Sequence, residues 1–71
     1  MYADARCAAI RPLYDTGHRP GTSTMREALA AAGHGRPSDS MIRGQIRAEV
    51  ERHEPHLAQL PPEPLPIRRG A

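Results

Sequence analysis

The sequence contains no phenylalanine, no tryptophan and no lysine, and it has one cysteine, Cys7. Without large aromatic side chains, a chain of 71 residues has little apolar surface with which to build a core. A single cysteine excludes an internal disulfide and indicates a reducing compartment. No apolar run reaches membrane-spanning length, and the N-terminus has no signal-peptide pattern. We therefore expect a soluble, cytoplasmic protein that does not enter a membrane.

Alanine is the most abundant residue, and it sets the expected fold class. Its eleven copies favour helix and close helix packing, but each buries little area. The sequence therefore predicts a small all-α domain that is only marginally stable alone. A homodimer would add buried surface, although no helix with a dimerisation pattern is visible.

The charged residues are almost balanced. All ten basic residues are arginines, yet the net charge is only +2. Residues 1–16 carry two Arg against two Asp, and residues 17–54 carry six Arg against five acidic residues. A positive surface must therefore come from the arrangement of charges and not from their sum.

Residues 2–16 have the spacing of a first helix. The apolar positions recur at intervals of four, three and four, which is helical; they are Ala3, Cys7, Ile10 and Tyr14. Pro12 interrupts this pattern because it removes one backbone hydrogen bond and crowds the preceding turn. Two structures are compatible with it, a kinked helix or two short helices with Pro12 in the first turn of the second. Either would end near Asp15, with Gly17 as its C-cap.

A second helix is predicted from Met25 to about Ala32. Thr24 and Glu27 have the spacing of a capping box, in which each side chain accepts from the other residue's backbone amide. Met25, Ala28, Leu29 and Ala32 then share one face. Gly33 ends the helix.

A third helix begins after the break that contains Pro37. Ser38 is the predicted N-cap, and the helix ends at His53 or Glu54, before Pro55. A buried stripe recurs every four residues, at Ile42, Ile46 and Val50. These boundaries predict a three-helix domain over 1–56 with a helix-turn-helix-like order of elements.

Residues 57–71 are predicted to be an extended, Pro-rich C-terminal tail. This segment and Pro55 just before it hold five of the eight prolines, a composition typical of polyproline-like chain. Leu57 and Leu60 could fold back onto the helices. From Pro61 onward we expect an exposed tail that ends in Arg68 and Arg69, where it could add phosphate attraction.

The second and third helices carry the polar residues that could bind a ligand. Two helices joined by a Gly-containing turn, with Ser and Arg in the first turns of the second helix, enter the DNA major groove in helix-turn-helix proteins. Short hydroxyls suit phosphate, and arginine suits both phosphate and guanine. The predicted contacts to double-stranded DNA are Arg19, Arg36, Ser38, Ser40, Arg43 and Arg47. The competing interpretation is an ordinary solvated surface, since Arg47 and Glu51 also have the spacing of an i, i+4 ion pair.

Part of the sequence resembles the N-terminal DNA-binding domain of KfrA-type plasmid proteins. The resemblance rests on 17–20 (Gly-His-Arg-Pro), 26–29 (Arg-Glu-Ala-Leu), Gly33, Ser38 and 42–43 (Ile-Arg), and it covers roughly residues 8–54. It implies a helix-turn-helix fold in which the third helix contacts DNA. Gly21 is inserted relative to the family's turn, and a Pro-rich tail stands where that family has a long coiled coil. The implied function is a transcriptional regulator or accessory factor of plasmid, phage or actinobacterial type.

The sequence provides no catalytic constellation, and we expect neither an enzyme nor a cofactor. Cys7 lies in an Ala-rich helical stretch, which favours a small core residue over a nucleophile. His53 and His56 are interrupted by Pro55 and lack the paired cysteines of a zinc site, so no metal is expected. The alternative function is a non-enzymatic protein-interaction module that docks onto a larger assembly through its helices or through the 57–71 tail.

Overall fold

Three helices and two 3₁₀ segments form the part of the chain that the structure, a computed structural model, describes: residues 1–64. Helix α1 is Cys7–Ile10 and runs directly into the 3₁₀ segment Arg11–Thr16. Helix α2 is Thr22–Ala31. Helix α3 covers residues 39–53 and consists of α-helical Asp39–Met41, π-helical Ile42–Ile46 and α-helical Arg47–His53. The second 3₁₀ segment is Pro55–Gln59.

The all-α class is confirmed for residues 1–64, where no strand is present and the one extended pairing is an isolated bridge between Arg19 and Pro62. No helix in this part of the chain combines the length and the apolar character needed to cross a membrane.

The first helical segment has the two-part form that Pro12 indicated. The α-helix stops at Ile10, and Pro12 lies in the first turn of the 3₁₀ segment, where its missing N–H costs no internal hydrogen bond. Gly17 caps this segment with a left-handed φ of 87°, which a glycine adopts without strain.

Helix α2 begins earlier than predicted, and the capping box is wrong. Its N-cap is Gly21, and no side chain within the helix caps its first amides. Thr24 and Glu27 have other partners: the Thr24 hydroxyl donates to Glu63, and the Glu27 carboxylate accepts from Arg36. The capping spacing is present, but charged groups from outside the helix displace it.

The predicted end of α2 is confirmed. Gly33 has a left-handed φ of 84°, and its N–H donates to the Ala30 carbonyl at 3.1 Å. The His34 N–H donates to the Leu29 carbonyl at 2.8 Å. This pair of bonds is a Schellman motif, which satisfies carbonyls that the helix end would otherwise leave unpaired.

The start of α3 is also as predicted. The Ser38 hydroxyl oxygen accepts from the Met41 N–H at 3.2 Å, and Asp39 lies in the first turn. The Arg26 side chain secures this start against α2, since it donates to the Pro37 carbonyl at 3.0 Å and forms an ion pair with Asp39. Arg26 therefore fixes the seven-residue connection 32–38 between the two helices.

The core lies where α1, α2 and α3 meet. Nine apolar residues are buried there: Cys7, Ile10, Tyr14, Met25, Leu29, Ile42, Ile46, Val50 and Leu57. The predicted stripe of Ile42, Ile46 and Val50 is confirmed, because all three are fully inaccessible.

The π turn in α3 was not predicted. Its wide turn is closed by the Arg47 N–H, which donates to the Ile42 carbonyl five residues back. Four residues of α-helix rotate about 40° past a full turn, so residues spaced by four drift around the helix. A wider turn reduces that drift, which helps to keep Ile42 and Ile46 on the core side.

The chain after α3 packs onto the helices further than the sequence suggested. Leu57 is buried, and Leu60 packs against the core. Residues 61–63 then run beside Arg19, where the sequence predicted an exposed tail. Pro61 and Pro62 keep exposed side chains, but their backbone is held in place. The predicted roles of Arg68 and Arg69 lie outside the described residues.

Replacing Ser38 by alanine is expected to destabilise the domain by about 1 kcal/mol, because the Met41 amide loses its cap. Urea unfolding followed by circular dichroism would measure the loss. Ser40→Ala is the matched control, since Ser40 is exposed one turn further along and alanine suits a helix interior. Equal effects of the two substitutions would contradict the assigned cap.

Candidate functional site

The first half of α3 presents an exposed polar face. Ser40, Arg43, Gly44 and Gln45 are solvent-exposed, whereas Ile42 and Ile46 are buried on the other side. A side chain built at Gly44 would meet nothing within 4 Å, so the backbone is open to close approach at this point. Gln45 was not among the predicted contacts; its position one turn after Met41 on the exposed side was the available signal.

The arginines of the domain divide into paired and unpaired groups. Those in ion pairs with carboxylates are Arg6, Arg11, Arg19, Arg26 and Arg36. Among residues 1–64, Arg43, Arg47 and Arg52 form no ion pair, and all three belong to α3. The unpaired positive charge of this part of the chain is therefore concentrated on one helix.

Arg47 lies in a mixed environment on α3. Its side chain is half-buried, and burial, followed by the neighbouring Arg19 guanidinium, lowers its pKa from the ordinary value of 12.5. Arg43, one turn earlier, acts in the same direction, while Glu51 opposes it. Arg47 remains protonated at neutral pH, and an anion beside it would relieve the repulsion from both arginines.

Arg19 is engaged in a different way from the one predicted. Its guanidinium donates to both oxygens of Glu51, at 2.8 and 2.6 Å, and this hydrogen bonding raises the pKa of Arg19. The Tyr14 hydroxyl donates to the same carboxylate at 2.9 Å. Glu51 thus joins the first helical segment, the turn before α2 and α3. The structure places Arg19 beside Arg47, but in a structural ion pair.

Arg36 and Ser38 lie at the other end of the α3 face. Arg36 donates to both oxygens of Glu27, at 2.6 and 3.2 Å, and both side chains are more than half exposed. That hydrogen bonding lowers the pKa of Glu27. An ion pair this exposed is weak, so Arg36 can exchange Glu27 for another anion. Ser38 uses its oxygen as the helix cap and keeps its hydroxyl hydrogen available to donate.

A groove of about 800 Å³ adjoins Arg47. Its walls are residues 19–24, residues 62–64 and the Arg47 side chain. The start of α2, whose first amides point outward, therefore shares the groove with Arg47 and with the Glu63 carboxylate. The predicted site residues form two neighbouring groups: Arg19 with Arg47 at the groove, and Arg36 with Ser38 at the start of α3.

No protein-family model matches this chain, and neither the curated proteins nor the solved structures give a significant match.

The described residues do not bring metal-ligating side chains together. Within 1–64 no group of three or more His, Cys, Asp or Glu side chains is placed to hold a metal ion. Cys7 is fully buried, its thiol donates to the Ile46 carbonyl at 3.4 Å, and burial raises its pKa to about 11. A thiol held in this state packs in the core and is a poor nucleophile at neutral pH.

Proposed function

We propose that this chain is a small DNA-binding protein, a transcriptional regulator or accessory factor, that places the first half of α3 in the major groove. The observation that carries the proposal is the face of α3, on which Arg43 is exposed and unpaired beside Arg47. Arginine without a carboxylate partner is available for phosphate and for guanine. Helix-turn-helix proteins use the same position on their second helix.

In this proposal the side chains of α3 divide their roles along its length. Arg43 and Ser40, exposed in the first two turns, face base edges, and the open backbone at Gly44 allows close approach. Arg47, at the groove, contacts backbone phosphate. Arg36 reaches a flanking phosphate by exchanging its exposed partner Glu27. The resemblance to KfrA-type domains supports the same helix as the reading element.

The low net charge of +2 limits how many phosphates the domain can neutralise. Each phosphate contact contributes a slope of about −0.9 to the dependence of log affinity on log salt. We therefore expect salt-dependent but modest affinity for one copy, and a homodimer would double the contacts.

Alanine substitutions on α3 test the proposal. Arg43→Ala and Arg47→Ala should each weaken binding to a short mixed-sequence duplex by about tenfold or more. Arg47→Ala should also reduce the magnitude of the salt slope by about one, because a phosphate contact is lost. Fluorescence anisotropy at two salt concentrations measures both quantities.

Arg52→Ala is the matched control, since Arg52 is also exposed, unpaired and on α3, but lies in its last turn. It should weaken binding much less, and circular dichroism should show unchanged helicity in all three variants. If the three substitutions weaken binding equally, the effect is one of total charge and the assignment of the α3 face is wrong.

A further inference from the structure

Residues 61–64, here called the strap, return from the end of the chain to the start of α2. The Arg19 N–H donates to the Pro61 carbonyl at 2.7 Å, and the Glu63 N–H donates to the Arg19 carbonyl at 3.1 Å. These two bonds pair the strap in parallel with the turn before α2. The strap is therefore positioned by backbone bonds, independently of its side chains.

The Glu63 side chain makes a second attachment. Its Oε1 accepts from the Gly21 N–H at 2.9 Å, and its Oε2 accepts from the Thr24 hydroxyl at 2.7 Å. Gly21 is the N-cap of α2 and has no side chain to cap the helix itself. A carboxylate from about forty residues further along the chain thus takes the place of a local cap.

The same carboxylate lies in the groove that Arg47 borders. The proposed function places a DNA phosphate at Arg47, so that phosphate would approach a carboxylate already in the groove. Two anions in one groove repel each other, and the repulsion is least screened where water is partly excluded. Binding of DNA and attachment of Glu63 therefore oppose each other.

We propose that the strap restrains DNA binding, with the Glu63 carboxylate and a backbone phosphate competing for the groove between the start of α2 and Arg47. This inference rests on the proposed function, and it adds an internal regulator to it. Detaching Glu63 makes the groove more positive and opens it to one further phosphate.

Charge removal at Glu63 in the full chain is the first test. Glu63→Gln should tighten binding to the mixed-sequence duplex at least about fivefold and increase the magnitude of the salt slope by about one. Asp15→Asn removes the same charge from an exposed side chain outside the groove, and it should change affinity less than about twofold. Equal tightening by both variants would overturn the inference.

A charge-neutral variant separates the strap from simple electrostatics. Thr24→Val removes one hydrogen bond to Glu63 and keeps the shape of the side chain, so it should tighten binding about twofold or more. Amide hydrogen exchange gives a readout that does not depend on variants. When the duplex is added to the parent chain, the protection of the Gly21 and Glu63 amides should fall. Unchanged protection in the bound state would overturn the inference.

Failure of the strap and failure of the proposed function give different results. If the parent binds DNA through Arg43 while Glu63→Gln tightens nothing, only the strap inference is wrong. If neither the parent nor Glu63→Gln nor Thr24→Val binds the duplex, both proposals are wrong.

Discussion

The substitution Ile46→Ala is expected to remove most of the stability of the domain. Ile46 is fully buried at the end of the π turn, in a core that contains nine apolar residues. Truncation of a buried isoleucine costs about 2 to 5 kcal/mol, through lost burial and the cavity left behind. A domain of 71 residues has a total stability of only about 4 to 10 kcal/mol. Thermal unfolding followed by circular dichroism should show a fall in Tm of about 10 to 25 °C.

Two further variants interpret that result. Ile46→Val removes one methylene from the same place and should cost about 0.5 to 1.5 kcal/mol. Gln45→Ala, at the adjacent exposed position, should leave the unfolding transition nearly unchanged. A loss below about 1 kcal/mol for Ile46→Ala would mean that α3 is not packed as the structure describes.

Elements defined by nearby residues could be predicted from the sequence. The end of α2 at Gly33 depends on bonds to Leu29 and Ala30, and the start of α3 depends on Ser38 and Met41. Each involves partners within five positions, so the signal is contained in a short window. The exposure of Arg43 followed from the stripe of buried residues on the opposite side of the same helix.

Features that depend on distant partners could not be predicted. The capping box at Thr24 failed because Glu63, 39 residues away, accepts from the Thr24 hydroxyl. The ion pair of Arg19 with Glu51 joins residues 32 apart, and no local pattern indicates it. Glu49 is buried and accepts from the backbone of Ala3 and Asp4, again through a contact that only the tertiary structure reveals.

The position of residues 61–63 also changes how a truncation must be interpreted. Removal of the chain after Leu60 would take away the partner of the Arg19 amide and the carboxylate at Gly21. A truncated chain would therefore lose a stabilising attachment, whether or not the tail binds another protein. Point substitutions at Glu63 and Thr24 avoid this ambiguity, since they leave the backbone pairing with Arg19 intact.

Glu51→Ala is expected to destabilise the domain by about 2 to 3 kcal/mol. The Glu51 side chain is 11% exposed and accepts three hydrogen bonds, two from Arg19 and one from the buried Tyr14 hydroxyl. Its removal leaves a hydroxyl and a guanidinium without their acceptor, and leaves Arg47 beside Arg19 without the carboxylate between them. Denaturant unfolding would measure the loss. Glu54→Ala, which removes the more exposed partner of Arg11, is the matched control and should cost much less.

The pH dependence of the same site has a defined sign. Burial alone would raise the pKa of Glu51, but the hydrogen bonds from Arg19 and Tyr14 outweigh it and hold the pKa below the ordinary value of 4.5. The folded state therefore favours the ionised carboxylate, and this stabilisation is present above pH 4.5 and is lost as the pH falls below it. The difference in Tm between the parent and Glu51→Gln should be largest near neutral pH and should shrink in acid.

Glu51→Ala should have the opposite effect on DNA binding. Arg19, released from its ion pair, would join Arg47 at the groove and offer a second cation to backbone phosphate. We therefore expect the variant to bind the duplex more tightly than the parent, in conditions where both are folded, while unfolding more easily. Glu54→Ala removes an equal charge at a distance from the groove and should not reproduce the gain. A loss of both stability and affinity in Glu51→Ala would mean that Arg19 contributes only by holding α3 in place.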